Sequence, residues 1–113
     1  MANRITVLHY AFGDNGKQVA IVIPTSEDMT AGLNEAYRLT NSTDTAWFEP
    51  TASNVRVHPC AKNGCRSTSV GDVLVYRVGE GMDAKYHTFQ VASVGFKRLS
   101  NDEFSLLTYG EVI

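Results

Sequence analysis

Polar and apolar positions alternate from the start of the chain, and Ile5 to Phe12 reads as a strand. Gly13-Asp14-Asn15-Gly16 follows, a cluster whose members tolerate the positive φ of tight turns. Gln18 to Ile23 is nearly continuous apolar and rich in β-branched residues, which favour a pleated, buried surface. The two runs predict a β-hairpin that ends at Pro24. Thr25 or Ser26 is then placed to cap a helix, with Glu27 and Asp28 suited to the positive end of its dipole. Met29, Leu33, Ala36 and Tyr37 recur at helical spacing, and the helix should fade between Leu39 and Asn41. Gly32 interrupts this pattern at a cost of about 1 kcal/mol in helix propensity, which suggests close packing on a sheet.

The second half reads mainly as strands. Asn41 to Ser53 is polar, but it holds Trp47 and Phe48, so it should be packed down on the core rather than loose. Asn54 to His58 is a short strand, and Cys60 to Cys65 is a turn centred on Asn63-Gly64. The run Arg66 to Tyr76 begins hydroxyl-rich, bends within Ser67 to Asp72 and continues as a strand over Val73–Val78. Gly79 to Lys85 is a hairpin loop. Tyr86 to Val94 alternates as a long strand, and Phe104 to Tyr109 reads as a last one after a turn at Ser100-Asn101-Asp102. Val19–Ile23 and the terminal strand are the expected sheet edges, and such edges would allow homo-oligomers. The fold class is α+β: one main helix packed on a largely antiparallel β-sheet built from hairpins, with residues 1–113 as a single domain.

Composition narrows the function classes. The net charge of −2 comes from 12 acidic and 10 basic residues, which supplies neither the basic stripe of a nucleic-acid binder nor the dense acidity of a DNA mimic. No run has the length of a membrane span, and the N-terminus lacks an apolar stretch with a small-residue cleavage site. The expected location is therefore the cytoplasm, where the two cysteines would be thiols.

The candidate chemistry is sparse. Gly79-x-Gly81-x-x-Ala84 matches a dinucleotide fingerprint, but a strand follows it where the motif needs a helix N-terminus. His58, Cys60 and Cys65 are weak metal candidates, with His9 or His87 as a fourth ligand, because the usual second cysteine pair is missing. No serine sits in a nucleophile elbow, and no carboxylate pair has an acid/base setting, so the chain reads as non-enzymatic and calls for no cofactor.

Arg66-Ser67-Thr68-Ser69 is the best polar candidate. Arginine offers a forked donor, and hydroxyls with backbone N–H groups can form an anion-binding concavity. Local capping accounts for Ser67, Ser69 and Asp72 without a ligand, and it explains Arg66 and Thr68 least. Trp47 with Tyr37, Asn41 and Arg56 forms a second candidate surface, suited to stacking, although Trp47 also fits as a seal on the core.

The segments Ala36-Tyr37-Arg38-Leu39-Thr40-Asn41-Ser42, Trp47, Arg66–Asp72 and Gly95-Phe96 resemble a module of small accessory proteins from phages and mobile elements. That similarity spans Tyr37 to Leu99. A narrower one, over Ser67–Val75 and Val91–Phe96, is to YodL-like domains. The resemblance carries no catalytic residues. It implies an accessory protein acting inside a bacterial host cell, where such proteins bind and block a host factor, antiviral defence included, or sequester a nucleotide. The first expectation is a non-enzymatic protein that binds a host protein. The alternative is a small-molecule or nucleotide binder that uses the Arg66–Ser69 turn as an anion cradle.

Overall fold

The computed structural model describes residues 3–11, 16–41, 47, 54–61, 64–79 and 81–104. Its strands are β1 (Arg4–His9), β2 (Lys17–Val22), β3 (Val55–Val57), β4 (Val73–Val78), β5 (Lys85–Val91) and β6 (Phe96–Leu99). The helix α1 (Met29–Leu39) lies between β2 and β3 in the chain. The strands form one six-stranded sheet in the order β3-β2-β1-β4-β5-β6, and every neighbouring pair is antiparallel. This is the α+β arrangement that the apolar pattern predicts.

The register sets the core. Ile5 lies between Val22 and Tyr76, and Val7 lies between Ala20 and Leu74. Directly opposed residues share a face, so these six side chains form one apolar layer, and all are essentially inaccessible. Leu33 and Ala36 of α1 belong to the same core. His9 continues the buried positions of β1 after Ile5 and Val7, which puts an imidazole at the end of the apolar layer.

The cap of α1 differs from the sequence expectation. Asp28, not Thr25 or Ser26, is the N-cap, and its Oδ2 accepts from the Ala31 N–H at 3.0 Å. Thr25 instead binds the helix from the side, its N–H and hydroxyl both donating to the Glu35 carboxylate. Ser26 Oγ accepts from the Asp28 N–H. Three oxygen-bearing side chains near one helix start are equivalent by type, and only the chain's path past Pro24 selects among them. At the other end Thr40 closes the helix, with its hydroxyl donating to Ala36 O at 2.8 Å.

Gly32 sits where α1 crosses the sheet. A Cβ there would lie 2.9 Å from Tyr76 Cε2 and 3.2 Å from Pro24 Cβ, and the Tyr76 ring is itself buried. The glycine thus sets the helix–sheet distance. Gly32→Val is expected to lower the unfolding free energy by about 2 kcal/mol in urea denaturation, as overpacking of a fixed ring does.

Two further expectations are corrected. β2 is not an edge, since it lies between β1 and β3; the outer strands of the sheet are β3 and β6. The strand expected over Tyr86–Val94 stops at Val91. The chain turns through Gly95, at φ +70°, and returns as β6. That φ is left-handed, which glycine tolerates without a Cβ clash. Ala92 N–H donates to Gly95 O across this turn. Phe104, expected to open a last strand, instead lies in a helical segment described over 101–104. Residues 105–109 of that expected strand lie outside the described residues, as do Gly13–Asn15 and Phe48. No helix among the described residues is long and apolar enough to cross a membrane.

Candidate functional site

Antiparallel pairing sets Leu8 of β1 opposite Val73 of β4. The residues leaving β1 therefore run beside those entering β4, although 62 positions separate Tyr10 from Asp72. At this crossing the Asp72 carboxylate is fully buried. Its Oδ1 accepts the backbone N–H groups of Tyr10 at 2.8 Å and Ala11 at 2.9 Å, and its Oδ2 accepts that of Ser69 at 2.8 Å. The Arg66 guanidinium closes on the same carboxylate as a fork, Nη1 to Oδ2 at 2.6 Å and Nη2 to Oδ1 at 2.8 Å. Arg66 also donates to Ala11 O and Ser67 O.

The electrostatics follow from these contacts. Burial pushes the Asp72 carboxyl upward, but Arg66, the N–H groups of Ala11 and Ser69, and His9 together outweigh it. The net effect holds Asp72 below its ordinary carboxylate value, hence ionised at neutral pH. The concavity expected for an outside anion is therefore present, with its forked arginine and inward N–H groups, and the chain's own carboxylate fills it.

The rest of the segment is wired to the helix and to Trp47. Thr68 is fully buried; its N–H donates to Thr40 O at 2.8 Å, and its carbonyl accepts from Asn41 Nδ2 at 2.7 Å. Trp47 Nε1 donates to Arg66 O at 2.8 Å. The same indole meets His9 edge-on at 6.3 Å between centroids and belongs to the core. His9 Nε2 lies 3.1 Å from Thr68 Oγ1 and 3.8 Å from Asp72 Oδ2, while Cys65 Sγ is 3.7 Å from His9 Nδ1. Thr68 and Arg66, the two residues that capping explains least, are thus tied to groups distant in sequence.

Of the candidate residues, Arg66, Ser67, Thr68, Ser69, Trp47 and Asn41 come together here. Ser69 Oγ donates to Ser67 O, and Asp72 N–H donates to Ser69 O, a local turn of the kind expected. Tyr37 stands apart, packed edge-on against Phe96 at 6.3 Å. Arg56 is exposed on β3, separated from β1 by β2. His58 is exposed beyond β3, and His87 contacts Arg98 on β5 and β6. Among the described residues, no three His, Cys, Asp or Glu side chains gather as a metal site.

A cleft beside this assembly has no counterpart in the sequence reading. Asn34 and Tyr37 of α1, Val70, Val91, Ala92 and Phe96 line a cavity of ≈ 180 Å³. Val70, one of these, is 54% exposed and leaves apolar surface in the open at the cleft. The cleft combines three segments that are remote in sequence, so no local pattern marks it. The buried His9 did have a signal, since it falls on the inward phase of the Ile5, Val7 alternation.

Fold and site define a small α+β protein with a self-filled anion cradle and a shallow cleft of mixed polar and apolar lining. No family model matches the chain, and no curated protein or solved structure matches it.

Proposed function

We propose that the chain is a small non-enzymatic binding protein that modulates or inhibits a host factor on behalf of a phage or mobile element, by seating an apolar side chain of that partner protein in the cleft at Tyr37, Val70 and Phe96. The size of the cleft carries this reading. At ≈ 180 Å³ it falls short of the roughly 300 Å³ at which small-molecule pockets begin, but it suits one anchoring side chain. Val70, which lines it, is more than half exposed, and this fits a surface that a partner covers. The nucleotide-sequestering alternative draws less support, because the arginine a phosphate would need is already forked onto Asp72.

The test pairs wild type with Val70→Glu. Val70 is more than half exposed, so the variant should fold normally while placing a charge at the mouth of the cleft. A protein captured from bacterial lysate by wild type should bind the variant at least about tenfold more weakly, the effect of a charge forced into an apolar contact. Equal affinity for the two forms would remove the cleft from the account. A rise in melting temperature that grows with nucleotide excess would favour the sequestering alternative.

A further inference from the structure

The partner-binding reading makes no use of the buried imidazole or the thiol facing it. Cys65 is half-buried, and its sulfur faces His9 Nδ1 at 3.7 Å. His9 is 1% exposed, and its ring is fixed at both ends. Nε2 meets Thr68 Oγ1 at 3.1 Å, and the edge of Trp47 packs against the ring. The tautomer that donates from Nε2 to Thr68 leaves Nδ1 as the acceptor directed at the thiol. Cysteine beside an oriented imidazole, itself backed by a hydroxyl and a carboxylate, is the arrangement that turns a thiol into a nucleophile.

We propose that Cys65 is a nucleophilic thiol activated by His9, and that it takes up small soft electrophiles, low-molecular-weight disulfides above all, as a stoichiometric modification site. The Sγ proton passes to His9 Nδ1. The thiolate attacks one sulfur of the disulfide, a new S–S bond forms to Cys65, and the old S–S bond breaks. The departing half leaves as a thiolate and takes the proton back from Nδ1, so the exchange needs no other reactant.

Two charged groups stand near His9. Asp72 Oδ2 stands 3.8 Å from Nε2 and is ionised. Arg66 opposes it, but its guanidinium binds the same carboxylate, at 2.6 Å and 2.8 Å. Thr68 and Asp72 are positioning residues here, since they act on the sulfur only through the ring.

The experiment uses iodoacetamide on the intact protein, with peptide mass spectrometry to follow Cys65 and Cys60 separately. At about pH 6 an ordinary thiol is almost wholly protonated. Native Cys65 should therefore alkylate about tenfold faster than the same residue in the urea-unfolded chain at that pH, after allowing for the weaker nucleophilicity of a low-pKa thiolate. Thr68→Val, which keeps the shape but loses the hydroxyl that orients the ring, should reduce the native rate and leave the unfolded rate unchanged. Glutathione disulfide should add a single glutathione to the Cys65 peptide of the native protein. A native rate equal to or slower than the unfolded rate, or an adduct that avoids Cys65, would overturn the proposal.

Discussion

Asp72→Ala is expected to lower the unfolding free energy by about 3–5 kcal/mol, the range for removing one partner of a buried ion pair. The loss has two parts here. Arg66 would keep its charge in a partly buried place without the carboxylate it forks onto. The N–H groups of Tyr10, Ala11 and Ser69 would lose their acceptor at the junction of β1 with β4. Many buried ion pairs can be replaced by apolar residues at little cost. This one cannot, because an apolar pair would leave those N–H groups unsatisfied.

The same residue sets a pH dependence. The folded state holds Asp72 below its ordinary value, so its stabilisation is fully present above the unfolded carboxylate range, near pH 4, and is lost as pH falls through the lower folded value. Urea midpoints of wild type should therefore drop on acidification below about pH 4. Asp72→Asn should start lower and lose that part of the slope.

Trp47→Ala is expected to cost about 3–5 kcal/mol, the range for emptying a large aromatic site. Trp47 is 4% exposed within the core, and its indole N–H holds Arg66 O. The substitution would leave a cavity beside His9 and free the carbonyl at the start of the Arg66–Asp72 segment. Trp47→Phe separates the two effects. It refills most of the volume but cannot donate, so it should recover all but about 1 kcal/mol for the lost hydrogen bond, plus a small packing term. Urea unfolding followed by far-ultraviolet circular dichroism serves all three proteins, since it does not depend on the indole. A loss under about 1 kcal/mol for Trp47→Ala would mean that the indole covers the core without supporting it.

Strands of the centre were legible because local pattern and tertiary role agree. Gln18–Ile23 and Val73–Val78 are β-branched runs bounded by turn formers, and both became buried strands within a residue or so of the expected bounds. The helix was legible for the same reason, from its Met29, Leu33, Ala36 and Tyr37 stripe, and Gly32 against Tyr76 followed from a glycine on that stripe. Strand order was not legible. The interior place of β2 depends on Val55–Val57 pairing with it from across more than thirty positions, for which no local residue signals. The split of β5 from β6 turned on the conformation of Gly95, which an alternating pattern conceals.

The candidate site divides in the same way. Arg66–Ser69 was visible as polar chemistry in a turn, and local capping by Asp72 was visible too. What the sequence concealed is that the carboxylate reaches across to Tyr10 and Ala11 and that Arg66 binds it. Thr40, Asn41, Trp47 and the Arg66–Asp72 segment form one hydrogen-bonded assembly. They join α1, β1 and β4.

Central to this account is that Arg66 is committed to Asp72 rather than held ready for an outside anion. The most direct test is the double-mutant cycle of Arg66→Ala and Asp72→Ala, read by urea denaturation at neutral pH. Commitment predicts that the double variant loses less than the sum of the two single losses, by about 2 kcal/mol or more of coupling. Losses that simply add would contradict it and return Arg66 to the role of a ligand-binding residue.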